Sequence, residues 1–272
     1  MKFIMFTKHL EGLDVPGLIR ALKSVGVEGA DLCVRPGYPV TPENATKELP
    51  AAAKAFEEEG LSIPLVTTPG DFTDPAIDNV EQLYAACGEA GVGHIKLGYW
   101  HWSMEEGYWT AVDRIRKYLE GFQELSKKYG VKTCVHNHSG VSMGLNSCAA
   151  MNLVKGFDPK YVGIFADPGH LSIVGEPINM ALDIVREYLS LLAFKDLMRQ
   201  RVVRNDKVTW QTRVVRIGHG FGDWETLLRC LKEMKFDGPI SFHSEYSGEP
   251  VDTVIDMARI DVRFIRDLLG RM

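Results

Sequence analysis

The feature that most constrains the fold of this chain is a repeated alternation of short apolar runs and longer amphipathic segments. Residues 1–6 form an apolar run, and residues 14–25 follow it with apolar side chains at helical spacing. Eight strand-like runs alternate in this way with eight helix-like segments, at a spacing of roughly 30 residues. Eight βα units predict a closed parallel barrel, the α/β architecture known as the (β/α)8 or TIM barrel.

A doubly wound open sheet also alternates strands and helices, so it is the main alternative to a barrel. The number of units favours the barrel, and no glycine-rich phosphate loop follows the first strand. No linker, low-complexity tract or shift in composition divides the 272 residues. We therefore expect one domain that spans residues 1–272.

The charge balance and the cysteine pattern limit the classes of partner and compartment. The net charge of -5 gives no basic field for nucleic acid or for an anionic membrane. Five cysteines are scattered without a CxxC pair, which is typical of reduced thiols. Residues 1–10 lack the pattern of a secretion signal, and no apolar run is long enough to span a bilayer. These observations predict a soluble, cytoplasmic protein that acts on a small molecule.

Polar side chains collect at the predicted C-terminal ends of the fifth to eighth strands. In a barrel these ends form the rim where active sites lie. The clearest run is residues 131–140, a β-branched strand that ends in two histidines and an asparagine. The rim set comprises His136, Asn137, His138, Asp167, His170, Lys195, Asp196, His243 and Glu245.

The end of the sixth strand places an acid and an imidazole close together. An apolar run ends at Asp167, and a Pro-Gly turn re-aims the chain so that His170 can face the same cavity. A carboxylate with a neutral imidazole suits a divalent cation or proton transfer. The alternative is that Asp167 only caps the following turn and His170 packs against it.

The order of these motifs resembles the xylose isomerase-like sugar phosphate isomerase/epimerase superfamily. The similarity runs from the fifth to the eighth strand, and the segment from Thr41 to Leu61 is also similar. The matching landmarks are Val135-His136-Asn137-His138, Asp167-Pro168-Gly169-His170, Phe194-Lys195-Asp196, Gly218-His219-Gly220, Asp223-Trp224 and Phe236-Asp237-Gly238-Pro239. The resemblance implies a TIM barrel that isomerises or epimerises a sugar beside its carbonyl.

The resemblance also implies a divalent metal, held by glutamate, aspartate, histidine and glutamate on the fifth to eighth strands. Asp167 matches this pattern, whereas the other three positions hold His136, Ala193 and His243. One interpretation is a rebuilt site in which His136, Asp167 and His243 bind Mn, Zn or Fe. The other is a site without metal, in which Lys195 and the histidines supply the electrostatic stabilisation.

In the family, the glutamates on the fifth and eighth strands also act as acid and base. Histidines replace both of them in this chain, so the resemblance implies that other groups transfer the proton. The candidates are His136, His243, His170 and Glu245, and Lys195 is placed to stabilise a developing oxyanion. We predict His170, Lys195 and Glu245 as the catalytic residues.

Substrate binding is predicted for a further set of rim residues. The run around Trp100 offers flat apolar walls for a sugar ring, although these aromatics could equally pack as structure. The predicted substrate-binding set is Arg35, Trp100, His101, Asn137 and His138. The basic insertion from Met198 to Arg216 is expected to be a solvated loop or a contact surface for a second subunit.

The sequence therefore predicts a sugar isomerase or epimerase acting on a carbohydrate or polyol derivative, which could form a homo-oligomer. Two alternatives stay open. Inosose dehydratases resemble this chain in carrying histidines at the end of the fifth strand, so a keto-sugar or inosose lyase is one of them. The other is a sugar-binding barrel that has lost its activity.

Overall fold

Strands and helices alternate along the whole computed structural model, which describes residues 1–272. The strands are β1 (Lys2–Phe6), β2 (Gly29–Cys33), β3 (Ser62–Thr67), β4 (His94–Lys96), β5 (Lys132–His136), β6 (Val162–Ala166), β7 (Leu189–Phe194), β8 (Asp196–Arg204), β9 (Lys207–Val215) and β10 (Pro239–Phe242). All but β8 and β9 pair in parallel and close into a barrel of order β1-β10-β7-β6-β5-β4-β3-β2. The predicted eight-stranded TIM barrel is confirmed.

Helices pack around the outside of this barrel. They are α1 (Val15–Val25), α2 (Ala45–Glu58), α3 (Val80–Glu89), α4 (Tyr108–Tyr129), α5 (Ser147–Val154), α6 (Pro168–Val174), α7 (Ile178–Val185), α8 (Trp224–Glu233) and α9 (Val251–Arg271), and a short 3-10 helix covers Thr7–His9. The glycines that follow α1 and α4, Gly26 and Gly130, have φ values of 85° and 70°, which glycine adopts without steric strain. None of the helices combines the length and apolar character that a membrane span requires.

The inside of the barrel has an apolar floor and a polar upper layer. Six buried side chains form the floor: Ile4, Leu65, Cys134, Phe165, Leu191 and Ala193. Side chains alternate across a strand, so the residue two positions later points to the same side. This places His136 above Cys134, Asp167 above Phe165, and Lys195 beyond Ala193 at the C-terminal rim.

The basic insertion is a β-hairpin and not the irregular loop that the sequence predicts. β8 and β9 pair in antiparallel register from Asp196↔Val215 to Arg204↔Lys207. The two turn residues, Asn205 and Asp206, have φ values of 50° and 57°, as a two-residue hairpin turn requires. This Asn-Asp pair is the sequence signal that could have revealed the hairpin.

The short helix α6 was also absent from the sequence prediction. The Asp-Pro-Gly run reads as a turn, yet proline at the first helical position starts a helix, and the Asp167 carboxylate caps it. A Cβ at Gly169 would lie 2.5 Å from the Lys195 carbonyl oxygen. Glycine therefore lets the start of α6 approach the end of β7, beside the polar layer.

His94, at the start of β4, makes stability depend on pH. Its Nδ1 lies 3.2 Å from the Pro64 carbonyl oxygen, and burial lowers the pKa of His94 to about 4. Because the unfolded chain binds the proton first, stability falls as pH drops from about 6.5 towards 4. We expect this histidine to destabilise the fold by at most about 2 kcal/mol at about pH 5, relative to pH 7.5.

Urea unfolding of the wild type and of His94→Gln at both pH values measures this contribution. The variant should show the smaller loss on acidification, whereas His219→Gln, which changes an exposed histidine, should match the wild type. Equal losses for His94→Gln and the wild type would contradict the assignment.

Candidate active site

Asp167 is the centre of the polar layer and is fully buried. Its Oδ1 accepts a hydrogen bond from the His170 backbone N–H at 3.1 Å, which caps α6. Its Oδ2 lies 3.1 Å from Lys195 Nζ, 3.4 Å from His136 Nε2 and 3.8 Å from His170 Nε2. The capping alternative is therefore real, but it uses one carboxylate oxygen and leaves the other facing the site.

Asn137 fixes the backbone of Asp167. The Asn137 side-chain oxygen accepts a bond from the Asp167 N–H at 2.6 Å, and its amide nitrogen donates to the Asp167 carbonyl at 3.3 Å. Both ends of the amide are thereby used within the protein. Asn137 thus holds Asp167 in position, and its predicted contact with substrate stays a prediction.

Lys195 forms ion pairs with two carboxylates. Its Nζ lies 3.1 Å from Asp167 Oδ2 and 2.9 Å from Glu245 Oε2, and Lys8 contacts the second oxygen of Glu245 at 3.0 Å. Burial alone would lower the pKa of Lys195, but the two carboxylates raise it above the ordinary lysine value. Burial would likewise raise the pKa of Asp167 and of Glu245, but Lys195 holds both pKa values below the ordinary range. All three groups are therefore charged at neutral pH.

The rim histidines are held in place by neighbouring side chains. His136 Nδ1 contacts the Tyr99 hydroxyl at 2.9 Å, and its ring stacks on Phe165 at 4.6 Å between centroids. His170 Nδ1 contacts Ser139 Oγ at 2.8 Å, and its ring lies 3.8 Å from that of His138. Burial lowers the pKa of His136 to about 3, and burial with the nearby Lys195 charge lowers the pKa of His170 well below 6.5. Both imidazoles are therefore neutral at neutral pH.

Three polar atoms of the site are buried without a hydrogen-bond partner: His136 Nε2, Asp167 Oδ2 and His170 Nε2. The Lys195 contact to Asp167 Oδ2 is close enough for an ion pair but lacks hydrogen-bond geometry. Buried polar groups in native proteins are usually paired, so unpaired atoms that converge on one place indicate a binding position.

His243 belongs to a second buried network, centred on Asp31. The Asp31 carboxylate accepts hydrogen bonds from Thr67 Oγ1 at 2.6 Å and from Ser241 Oγ at 2.9 Å. His243 Nε2 lies 3.2 Å from Asp31 Oδ2. This contact directs His243 Nε2 towards Asp31, and His243 Nδ1 lies 3.9 Å from Glu245 Oε2.

The predicted metal ligands do not come together as a set. His136 and Asp167 are adjacent, but the His243 Nε2 atom faces Asp31, and no group of three or more acidic, histidine or cysteine side chains has the arrangement of a metal site. The Lys195 ammonium also stands beside the same Asp167 oxygen that a divalent cation would need. The side chains present therefore do not fit the predicted ion, and we derive no step through a metal.

The predicted substrate-binding residues divide into two groups. Arg35 and His138 lie at the rim, where Arg35 Nε donates to the Thr68 carbonyl at 3.1 Å. Trp100 instead belongs to the hydrophobic core, and its indole N–H donates to the Thr73 carbonyl at 3.0 Å. His101 is exposed to solvent. Trp100 is thus the structural aromatic that the sequence allowed as an alternative, because its flat faces are covered by protein.

Sequence reasoning missed several functional candidates: Asp31, Thr67, Lys96 and Lys8. Asp31 and Lys96 are fully or almost fully buried inside strands β2 and β4. A charged residue within a short apolar strand run is a signal that was available, since such residues are rarely buried without a role.

The closed barrel with its polar C-terminal rim defines the class of protein. The chain belongs to the family described as Xylose isomerase-like TIM barrel, which matches residues 19–268. This confirms the family that the sequence motifs resemble.

Individual relatives are more distant. An inosose dehydratase from Lactiplantibacillus plantarum is 25% identical over 164 residues, which are 58% of this chain and 54% of that protein, so the match spans about half of the relative. The crystal structure of 3-keto-D-glucoside 4-epimerase from E. coli is similar with a TM-score of 0.75 and 15% identity, covering 98% of this chain and 99% of that chain. The structure of an L-ribulose 3-epimerase is similar with a TM-score of 0.76 and 14% identity, covering 99% and 95%. At these identities the two structural similarities show the fold alone.

Proposed function

We propose that the protein is a sugar isomerase or epimerase that transfers a proton at the carbon beside a carbonyl of a carbohydrate or polyol derivative. The observation that carries this proposal is the convergence of His136 Nε2, Asp167 Oδ2 and His170 Nε2, each buried and without a hydrogen-bond partner, next to the Lys195 ammonium. The family and the sugar epimerases that share its fold support the same class of reaction.

The proposed chemistry uses the charges of these side chains and the lone pair of a neutral imidazole. A neutral imidazole, His136 or His170, removes the proton beside the carbonyl, and the electron pair moves onto the carbonyl oxygen. Lys195 stabilises the negative charge that develops there, because its own charge is fixed by Asp167 and Glu245. Glu245 is paired with two lysines, so we assign it to holding Lys195 in place and not to accepting the proton. A divalent ion at His136 and Asp167 would require Lys195 to leave Asp167. The proposed proton transfer uses no such ion.

A second candidate function is dehydration of a keto-sugar or inosose. The relative named as an inosose dehydratase supports this class. Dehydration begins with the same proton removal, and the leaving hydroxyl must then be protonated. The imidazole that has taken up the proton becomes the acid that can return it to this hydroxyl, and both imidazoles lie beside Asp167 Oδ2.

Exchange of substrate protons with D2O tests both candidates. We expect at least one member of a panel of ketoses and inososes to exchange the proton beside its carbonyl, measured by proton NMR. His170→Asn should lower the exchange rate by about 10²–10⁴-fold, the usual contribution of a general acid or base. His219→Asn, which changes an exposed histidine of the loop after β9, is the matched control and should exchange like the wild type.

The products separate the two reactions. A stereoisomer or an aldose from a ketose identifies the isomerase, and an unsaturated or diketo product that forms with loss of water identifies the dehydratase. Measurable binding of these sugars without any proton exchange would contradict both and would favour the inactive sugar-binding barrel.

A further inference from the structure

Lys96 is a buried lysine for which the proton transfer proposed above has no use. It is the last residue of β4 and is 2% exposed. In the barrel it lies in register with Thr67 on one side and Cys134 on the other, and Cys134 belongs to the apolar floor. The Lys96 side chain therefore points into the barrel, beneath the same rim as His136.

The amine of Lys96 has no acidic partner. No ion pair or hydrogen bond reaches its Nζ, which lies 3.5 Å from the centroid of the Tyr99 ring. The nearby carboxylate of Asp31 is already engaged by Thr67, Ser241 and His243. Lys195, by contrast, is held between two carboxylates, so the two buried lysines have opposite surroundings.

These surroundings favour the uncharged form of Lys96. Burial lowers the pKa of Lys96 well below its ordinary value of 10.5, and the positive charge of Arg35 lowers it further. Arg35 is attached to the neighbouring strand end, since Thr68 accepts from Arg35 Nε and donates to the Lys96 carbonyl. Desolvation and an adjacent cation are the two means by which enzymes obtain a nucleophilic lysine amine.

Tyr99 connects this amine to the proton-transfer groups. Its ring covers Lys96 Nζ, and its hydroxyl lies 2.9 Å from His136 Nδ1. Tyr99 thus contacts both the Lys96 amine and His136, one of the two imidazoles proposed to remove the proton.

We propose that Lys96 is a catalytic nucleophile that forms an imine with the keto carbon of the substrate, an inference that rests on the proposed action on keto-sugars. The Nζ lone pair attacks the carbonyl carbon, the C=O π bond breaks, and a proton moves from the nitrogen to the oxygen to give a carbinolamine. The hydroxyl leaves as water with a further proton, and a protonated imine remains. Its nitrogen accepts the electron pair when the adjacent proton is removed, and one water later hydrolyses the imine and restores the amine.

Reductive trapping tests this inference on the full-length protein. The wild type is incubated with dihydroxyacetone, a small ketose, and treated with sodium borohydride, and the adduct is located by peptide mass spectrometry. We expect a stoichiometric adduct on Lys96 and its loss in Lys96→Met, a variant of similar volume that should fold. Circular dichroism checks the fold of that variant. Lys127→Met, which removes an exposed amine, is the matched control and should keep the Lys96 adduct.

Proton exchange in D2O on the same preparations separates this inference from the proposed function. Two results together would overturn the imine and leave the proposed proton transfer intact. These are a wild type that forms no adduct on Lys96 and a Lys96→Met variant that exchanges substrate protons as fast as the wild type. An adduct on Lys96 without proton exchange would support the nucleophile and overturn the isomerase. A wild type that shows neither adduct nor exchange, or that is modified only on exposed lysines, would overturn the imine.

Discussion

Lys195→Met is expected to lower the free energy of unfolding by about 3–5 kcal/mol at neutral pH, the usual effect of removing one partner of a buried ion pair. The substitution leaves Asp167 without a cation, and Glu245 keeps only Lys8. Proton exchange should fall by about 10²–10³-fold, because the charge that stabilises the developing oxyanion is lost. Urea unfolding and D2O exchange measure the two effects.

The stability of Lys195→Met relative to the wild type should also depend on pH, and the direction of this dependence is a second prediction. In the wild type, Lys195 holds the pKa values of Asp167 and Glu245 low, so its stabilising effect is present above the ordinary carboxyl pKa and is lost as pH falls. In Lys195→Met, the carboxylates of Asp167 and Glu245 take up protons in the folded protein as pH falls, which removes the buried charge that destabilises it. The stability difference between the two proteins should therefore narrow as pH falls towards about 4.

The exposed pair of Lys127 and Glu124 provides the control for Lys195. Their side chains meet at 2.8 Å, as close as the buried pair, but both are solvated. Lys127→Met should have nearly the stability of the wild type, because an exposed ion pair contributes little. A loss for Lys195→Met no larger than the loss for Lys127→Met would show that the buried pairs do not carry the electrostatic role assigned to them.

Asp196→Ala is expected to destabilise the fold by at least about 4 kcal/mol, because it leaves two buried and three partly buried donors without an acceptor. Asp196 is fully buried at the start of β8. It accepts from five donors at 2.9–3.0 Å, namely the backbone N–H groups of Leu197, Gly218, Gly220 and Gly222 and the indole N–H of Trp224. A Cβ at Gly220 would lie 2.2 Å from Asp196 Oδ1, so this loop requires glycine to wrap the carboxylate.

Urea unfolding of Asp196→Ala, Asp196→Asn and Asp223→Ala tests this assignment. The asparagine variant should lose less than the alanine variant, since one oxygen still accepts. Asp223 caps α8 through a single bond to Thr226 N–H, so its removal should destabilise by only about 1 kcal/mol. Similar losses for Asp196→Ala and Asp223→Ala would contradict the shared-acceptor role.

The sequence predicted the barrel because its signals are local and repeated. Each βα unit shows its own periodicity, and eight such units leave few other ways to close a sheet. The rim residues His136, Asp167 and Lys195 could be found for the same reason, since each lies at or just beyond the end of a recognisable strand.

The partners of these residues could not be predicted, because they depend on contacts between distant segments. His243 at the end of β10 contacts Asp31 of β2 over the intervening strand β1, and Lys195 contacts Glu245 from the neighbouring strand end. The sequence does not show which of two carboxylates an imidazole will meet. Trp100 illustrates the same limit, since its position in the core is determined by the Thr73 carbonyl on another loop.

The single carboxylate of Asp196 has a consequence for how this molecule can change over evolutionary time. The hairpin begins at Asp196 and ends at Val215, and the glycine loop that follows is bound to the Asp196 carboxylate. For the barrel, the whole hairpin is therefore a short connection between two fixed points, whatever the length of the hairpin. Insertions, deletions or a new surface in the hairpin can be tried by mutation without moving Lys195, so the protein can vary what it presents to its surroundings while its interior chemistry is kept.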